Sequence, residues 1–292
     1  MRSTSRIRRS LASAAVAAAA VALTAVGIGH ATADTAGHGD ARSPVRCSAP
    51  GHRAITVVLV HGAWADSSGW SGEINQLQRA GCVVRAADNP VENLTTDAEK
   101  VAAFVRAIPG PVLLVGHSYG GAVITNAAAQ ADNVVGLVFV DAYAPAVGEA
   151  INTLNGATSV VYTHPKSELL QEVPGPGGST NLLLTQKAYA DYFGNDLTNS
   201  QAREGWASQT EASSLALGTP TKYAAWQHLP SWSFISSGDQ IITPDSLAMM
   251  AKRAHSKVTW FKGGSHLTLV THPGAVTAVI GQALSSLLKG GS

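Results

Sequence analysis

The sequence predicts an α/β protein with a doubly wound, mostly parallel sheet and a helical cap insertion. Apolar runs typical of buried strands alternate with stretches of helical spacing, as in a parallel sheet covered by helices on both faces. A serine flanked by glycines joins one of these strands to the helix that follows it. The alternation stops between residues 145 and 230, where glycine and proline clusters and polar stretches replace the buried strands. We therefore expect a core over 51–144 and 231–292 and a helical cap over 145–230.

The first part of the core is predicted as two strand–helix pairs. The run Ile55–Val60 consists of β-branched residues and leucine, which is typical of a strand buried on both faces. Apolar residues at helical spacing cover Ser71–Ala80. A strand at Cys82–Ala87 then precedes a helix at Thr95–Ile108, which ends at the turn Pro109-Gly110-Pro111.

The rest of the core repeats this alternation before and after the cap. A strand at Val112–Val115 leads through the glycine-flanked serine into a small-residue helix at Gly121–Ala129. A very apolar strand follows at Val134–Tyr143. After the cap, the pattern predicts two strands and two helices in alternation, at Ser231–Ser236, Pro244–His255, Lys257–Phe261 and Pro273–Leu288.

The segment Gly116-His117-Ser118-Tyr119-Gly120 is the strongest functional motif. A G-x-S-x-G turn between a strand and a helix lifts the serine hydroxyl clear of the sheet, where it can act as a nucleophile. The glycines allow strand and helix to pass closely and the turn to adopt strained angles. With 29 glycines in the chain, a solvated serine in a glycine-rich turn is the alternative. The flanking strand and helix favour the nucleophile.

A nucleophilic serine needs a base and an acid that orients the base. His266 follows the last predicted strand across a glycine-rich loop and is the favoured base, and His272 is its nearest competitor. Asp239 follows the strand at 231–236 and is the favoured acid, and Asp141 at the end of an earlier strand is the rival. The order Ser118, Asp239, His266 is the one typical of this motif.

The oxyanion of an acyl-transfer intermediate needs two N–H donors. One is expected from the backbone of Tyr119, directly after the nucleophile. The other is expected from Ala63, because Gly62 lets the loop after the first strand approach closely. His61 is expected to order this loop rather than to react.

These motifs together resemble the α/β-hydrolase superfamily: Val57 to Trp64, Gly116 to Gly121, Gly238-Asp239 with Pro244, and Gly264-Ser265-His266. The segments 61–64 and 116–121 resemble its small serine carboxylesterase branch, which includes plant methyl-esterases and hydroxynitrile lyases. The resemblance covers 54–144 and 231–288. It implies hydrolysis of a small-molecule carboxylic ester through an acyl-enzyme, with no metal and no organic cofactor.

Two alternatives remain at this point. A hydroxynitrile lyase or cofactor-free perhydrolase would use the same three residues. The lyase is expected to need a cap lysine near the serine, whereas Lys166, Lys187 and Lys222 are expected on solvated faces. A non-catalytic ligand-binding protein of this fold would be expected to lack part of the triad.

The substrate pocket is expected between the sheet edge and the cap. Four aromatic residues are its candidate lining, with ordinary core packing as the alternative for each: Trp64, Tyr143, Trp206 and Trp226.

Residues 1–33 have the pattern of an export signal. Arginines at positions 2, 6, 8 and 9 precede the apolar stretch Leu11–Ile28, and Ala31-Thr32-Ala33 matches a signal-peptidase site. We expect cleavage near Ala33, a mature chain that starts at Asp34, a flexible arm over 34–50, and a secreted or extracytoplasmic protein. An uncleaved anchor is the alternative, and the paired arginines leave twin-arginine export open.

Charge and cysteines narrow the partners and the compartment. Removal of four arginines with the signal changes the net charge from +1 to −3, which argues against a nucleic-acid partner. No later stretch is long and apolar enough to predict a membrane span. Cys47 and Cys82 are the only cysteines, and in an exported protein they are expected to form a disulfide. Otherwise Cys82 is a buried thiol and Cys47 is free.

Overall fold

A six-stranded parallel sheet lies at the centre of the structure, a computed structural model that describes residues 45–290. The predicted signal and the arm up to residue 44 lie outside the described residues. The strands of both sheets in the described range are β1 Thr56–Val60, β2 Val84–Ala87, β3 Val112–His117, β4 Val134–Val140, β5 Leu170–Pro174, β6 Thr180–Leu184, β7 Ala212–Ser213, β8 Ser231–Ser236 and β9 Lys257–Phe261.

The described α-helices vary from single turns in the cap to long helices in the core. They are α1 Ser71–Arg79, α2 Leu94–Arg106, α3 Tyr119–Ala128, α4 Val160–Thr163, α5 Lys166–Leu169, α6 Gln186–Ala188, α7 Asn199–Ser208, α8 Ser214–Gly218, α9 Pro244–Arg253, α10 Thr268–Thr271 and α11 Pro273–Gly290. Short 3₁₀ turns and one π-helix connect them, at Ser67–Trp70, Ile151–Thr153, Pro176–Gly178, Tyr189–Phe193 and Ala225–Gln227.

The order of the central strands is β2-β1-β3-β4-β8-β9, and each neighbouring pair is parallel. The chain therefore runs outward from β1 to β2 and then back across β1 to β3, which confirms the predicted doubly wound sheet. Strands β1 and β3 are buried along their whole length. Helix α1 packs against α11 and α2 packs against α3. The carboxyl ends of β3, β4 and β8 meet at one edge, where ligands bind in open α/β sheets.

The predicted core elements match the observed ones to within a few residues. The strands at 231–236 and 257–261 have the predicted bounds. The strand after α3 ends at Val140 rather than Tyr143, because Asp141 has a positive φ of 43° and leaves the extended conformation. Among residues 45–290, no helix has the length and apolar character needed to cross a membrane.

The cap differs from the helical insertion that the sequence predicts. Its short helices are joined by a three-stranded antiparallel sheet in the order β5-β6-β7. The strand Leu170–Pro174 is mostly exposed and carries no continuous apolar run, so it lacks the sequence signal of a buried strand.

Cys47 and Cys82 form a disulfide, and both are buried. The bridge joins the residues before β1 to the residues before β2. In addition, the Ile55 N–H donates to the Cys47 carbonyl at 2.8 Å. The described part of the predicted flexible arm, 45–50, is therefore tied to the core, which corrects that expectation for these residues.

Candidate active site

Ser118 occupies a sharp turn between β3 and α3. Its φ of 52° is in the left-handed region, which is rare for a residue other than glycine. Strand and helix pass so closely that a Cβ on Gly116 would lie 2.5 Å from the Gly120 carbonyl oxygen. These features are the ones expected of an elbow that holds a serine above the sheet edge.

The structure brings the three predicted reactive residues together. His266 Nε2 lies 2.8 Å from Ser118 Oγ, and His266 Nδ1 lies 2.7 Å from Asp239 Oδ2. All three side chains are buried. An ionised Asp239 accepts a hydrogen bond from Nδ1–H, so Nε2 is free to accept the serine proton.

The loop after β8 prepares Asp239 for this role. The backbone N–H groups of Ile241 and Ile242 donate to its other oxygen at 2.8 and 3.1 Å. Burial raises the pKa of Asp239, whereas these two donors favour the charged carboxylate. Burial also lowers the pKa of His266 to about 3, which keeps the imidazole neutral and able to act as a base.

Asp141 and His272, the alternative acid and the alternative base, make other contacts. Asp141 accepts hydrogen bonds from the backbone N–H and the hydroxyl of Ser236, both at 2.7 Å, rather than from His266. Burial, with the charge of Asp239 as a smaller cause, raises the pKa of Asp141 well above its usual range. The His272 N–H donates to the Thr268 carbonyl, and its ring lies 4.8 Å from that of Phe261.

The 61–65 loop after β1 runs against the elbow. A Cβ on Gly62 would lie 2.7 Å from Ser118 Cβ, so only glycine allows this approach. Among the described residues, neither the Ala63 nor the Tyr119 backbone N–H has a hydrogen-bond acceptor. Both residues border the cavity at Ser118. The two expected oxyanion donors are therefore unpaired beside the serine.

His61 and Tyr119 have structural side-chain contacts. His61 Nδ1 lies 2.9 Å from the Gly62 carbonyl, and the Asn89 amide donates to the His61 carbonyl at 2.8 Å. The Tyr119 hydroxyl donates to Asp97 at 2.7 Å in the interior. The hydrogen bond from Tyr119 to Asp97 anchors the first turn of α3, and no sequence motif predicts it.

Sequence reasoning also missed two residues around His266. The His117 Nε2 lies 2.8 Å from the His266 carbonyl, and burial lowers the pKa of His117 well below its usual value. A neutral His117 can donate this bond and position the His266 backbone. Phe193, from the π-helix of the cap, places its ring 5.2 Å from the His266 ring. Only the position of His117 inside the serine motif could have pointed to its role.

A cavity of about 220 Å³ opens on Ser118 between the sheet edge and the cap. Trp64 and Tyr143 line it, as expected, and the Tyr143 hydroxyl donates to Asn155. The other lining residues are mostly apolar: Ile151, Val160, Val161, Leu169, Leu170, Leu184, Ala188, Tyr192, Leu217 and Ile241, with Asn152, Asn155 and Lys166 as the polar ones.

Two predicted lining residues do not border this cavity. The Trp206 indole donates to the Leu184 carbonyl at 3.1 Å and supports strand β6. Trp226 is buried, donates to the Pro145 carbonyl at 2.9 Å and carries the Arg253 guanidinium over its ring. Their indole N–H groups are used within the protein, so these tryptophans have packing roles.

A larger cavity, of about 520 Å³, lies at the opposite edge of the sheet. It is bordered by Pro111, Pro230 and Lys257, which stand at the amino ends of β3, β8 and β9. The strand ends that carry Ser118 and Asp239 are on the other edge. The smaller cavity, which borders Ser118, is therefore the candidate substrate site.

A sequence profile of the alpha/beta hydrolase family matches residues 57–279. The match covers most of the chain, and the chain belongs to this family. A carbendazim hydrolyzing esterase of Nocardioides sp. (strain SG-4G) is 36% identical over 110 residues, which are 33% of this chain and 46% of that enzyme. The chain thus matches less than half the length of this curated relative.

Solved structures share the fold over most of the described chain. An extracellular alpha/beta-hydrolase from a Paenibacillus species aligns with a TM-score of 0.66 at 20% identity, over 78% of this chain and 98% of its own. A methylesterase from Arabidopsis aligns with a TM-score of 0.66 at 16% identity, over 80% of this chain and 100% of its own. At these identities the likeness is one of fold.

Proposed function

We propose that this chain is a serine hydrolase that cleaves carboxylic esters through an acyl-enzyme. Ser118 Oγ attacks the ester carbon while its proton passes to His266 Nε2. The tetrahedral intermediate then breaks its bond to the alcohol oxygen, and the imidazolium gives that oxygen the proton. The observation that carries this proposal is the unbroken hydrogen-bonded row from Ser118 through His266 to Asp239 beside an apolar cavity.

Water completes the cycle by the same route in reverse. His266 takes a proton from water, the hydroxide attacks the acyl carbon, and collapse returns the proton to Ser118 and releases the acid. In both half-reactions the Ala63 and Tyr119 N–H groups stabilise the oxyanion, and Asp239 stabilises the imidazolium. The unpaired state of these two N–H groups in the described structure supports their assignment.

The cavity favours an ester with a compact apolar part. Its lining is mostly aliphatic and aromatic, and its volume of about 220 Å³ limits how much of the substrate it can enclose. The names of the relatives, a carbendazim hydrolyzing esterase and a methylesterase, are consistent with ester hydrolysis. We expect short-chain or small aromatic esters to be the best substrates.

The test is turnover of p-nitrophenyl esters of increasing acyl length by the wild type and by Ser118→Ala. Ser71→Ala is the matched control, because Ser71 is exposed on α1 and its hydroxyl donates only to Ser68 in the described structure. We expect Ser118→Ala to lose turnover and labelling by a fluorophosphonate, while the control keeps both. Undiminished turnover by Ser118→Ala would show that the proposal is wrong.

Among residues 45–290, no unpaired lysine lies at the serine, which counts against the lyase alternative. Lys166 is exposed, as expected; it also borders the cavity, and its ammonium pairs with Glu172. Lys187 pairs with Asp191 at the surface. Cyanohydrin cleavage at a rate above ester hydrolysis would favour the lyase over the esterase.

We also propose that the mature enzyme is exported after cleavage near Ala33. The Cys47–Cys82 disulfide supports an oxidising compartment, and the Paenibacillus relative is described as extracellular. The test is the intact mass of protein recovered from the medium of a secreting host. We expect a mass that corresponds to a mature chain starting at Asp34. A cell-bound protein that still carries residues 1–33 would contradict cleavage.

A further inference from the structure

The 61–65 loop, which carries Ala63, is fixed from both the core and the cap. On the core side, the Asn89 amide donates to the His61 carbonyl. On the cap side, the Trp64 indole donates to the Leu182 carbonyl of β6 at 2.9 Å. The Thr210 hydroxyl of the cap donates to the Ala65 carbonyl at 2.8 Å. These two cap–loop hydrogen bonds join residues 118 and 145 positions apart in the sequence.

The loop backbone needs such support. Trp64 has a φ of 58°, a left-handed conformation that is unfavourable for an L-residue other than glycine. Its indole is held by the bond to Leu182 and by an edge-on contact with Phe193, with ring centres 5.9 Å apart. The strained residue lies directly after Ala63, so release of the indole would let the loop relax and turn the Ala63 N–H.

We propose that Trp64 and Thr210 are positioning residues that hold the Ala63 N–H in line with the oxyanion. The bonds at His61 on one side and at Trp64 and Ala65 on the other bracket this N–H. The cap is then a part of the oxyanion hole as well as a wall of the substrate cavity. This inference rests on the proposed function, in which the Ala63 N–H stabilises the tetrahedral intermediate.

Thr210 gives the cleaner test, because it does not border the cavity at Ser118. Thr210→Val removes the hydroxyl and keeps the shape. Loss of a whole oxyanion donor costs about 10²–10³ in kcat, so a misaligned donor is expected to cost about 10- to 100-fold. With p-nitrophenyl butyrate, we expect Thr210→Val to lower kcat by this factor with KM nearly unchanged. Thr210→Ser, which keeps a donor, should recover most of the loss.

A second readout isolates the oxyanion itself. Ser118 Oγ adds to the carbonyl carbon of a hexyl trifluoromethyl ketone. The adduct places an oxyanion where the oxyanion of the ester intermediate would be. Its inhibition constant should rise in Thr210→Val and Trp64→Phe by the same factor by which kcat falls. A purely structural weakening of the cap would lower the melting temperature without this matched change.

Trp206→Phe and Thr163→Val are the matched controls. Trp206 also donates its indole N–H to a carbonyl of β6, but this carbonyl is that of Leu184, and the bond does not involve the loop. Thr163 donates its hydroxyl to the Ser159 carbonyl within the cap. Both controls should keep the wild-type kcat and ketone affinity.

Three outcomes would overturn the inference. Thr210→Val and Trp64→Phe could keep the wild-type kcat and ketone affinity, change KM alone, or lose no more than the controls. If Thr210→Val does not fold, Trp64→Phe decides by the same criteria. A wild type that neither turns over esters nor binds the ketone would refute the proposed function itself, and the inference with it.

Discussion

Glu73 makes the stability of this protein depend on pH in a predictable direction. The residue lies on α1, is fully buried, and neither of its carboxyl oxygens has a hydrogen-bond partner among the described residues. Burial raises its pKa from 4.5 to about 8, and the nearby backbone N–H of Glu73 itself lowers the pKa by a smaller amount. At neutral pH the folded protein therefore holds a proton here that the unfolded chain has released.

The sign and size of the effect follow from this difference. Below pH 4.5 both states are protonated and Glu73 has no pH-dependent effect. As the pH rises toward 8, only the unfolded state loses its proton, so the free energy of unfolding falls by about 1.4 kcal/mol per pH unit. The total loss between pH 5 and 8 is about 3.5 kcal/mol, which is a large part of the stability of an ordinary domain.

Urea unfolding of the wild type and Glu73→Gln at pH 5, 6, 7 and 8 measures this loss. Gln keeps the shape of the side chain and cannot ionise, so its stability relative to the wild type should rise steadily with pH. Glu99→Gln on the exposed face of α2 is the control and should follow the wild type. A difference between Glu73→Gln and the wild type that stays constant with pH would contradict a raised pKa at Glu73.

The remaining predictions concern the reactive residues and the disulfide. Asp239→Asn should lower kcat by about 10⁴-fold, because His266 loses the partner that fixes its tautomer, whereas Asp141→Asn should keep most of the activity; the reverse result would make Asp141 the acid. Because burial lowers the pKa of His266, the midpoint of the acid limb of the kcat/KM profile should lie below pH 6.5. A midpoint at or above pH 6.5 would contradict this. Replacement of Cys47 and Cys82 by Ser opens a bridge that spans 35 residues and should cost about 3–4 kcal/mol in urea unfolding, and an unchanged midpoint would count against it.

The sequence was informative for the strands of the central sheet, both the buried strand β8 and the mostly exposed edge strand β9. Strands such as β8 and β9 end at turns rich in glycine or serine, and their bounds could be read directly. Parallel strands also bring their carboxyl ends to one edge, so residues that follow β3, β8 and β9 were expected to meet. The close contacts of Ser118, Asp239 and His266 agree with that expectation.

The choice between the two acids could not be made from strand positions alone. Asp141 and Asp239 follow the neighbouring strands β4 and β8, and either carboxylate could in principle face the histidine. The positive φ at Asp141 and its two bonds to Ser236 direct its carboxylate to another partner. Such a local backbone conformation at a non-glycine residue has no sequence signal.

The cap was the least predictable part of the fold, because its segments lack the long apolar runs that mark buried elements. Its segments are short and half-exposed, so aromatic identity alone suggested Trp206 and Trp226 as lining, although both indoles are bonded to backbone carbonyls elsewhere. The residues that do line the cavity come from separate short turns that meet only in the folded protein.

The cap sets two different properties of the proposed enzyme through two different sets of contacts. Aliphatic side chains of the cap fix the size of the substrate that fits, whereas Thr210 and Leu182 bond to the loop that carries Ala63. A substitution at the cavity wall should therefore act mainly on KM and on the choice of ester. A substitution at Thr210 should act on kcat for every ester alike, because the oxyanion is common to all of them. Separation of these two effects in one ester panel would distinguish the cap as a specificity element from the cap as a part of the reaction centre.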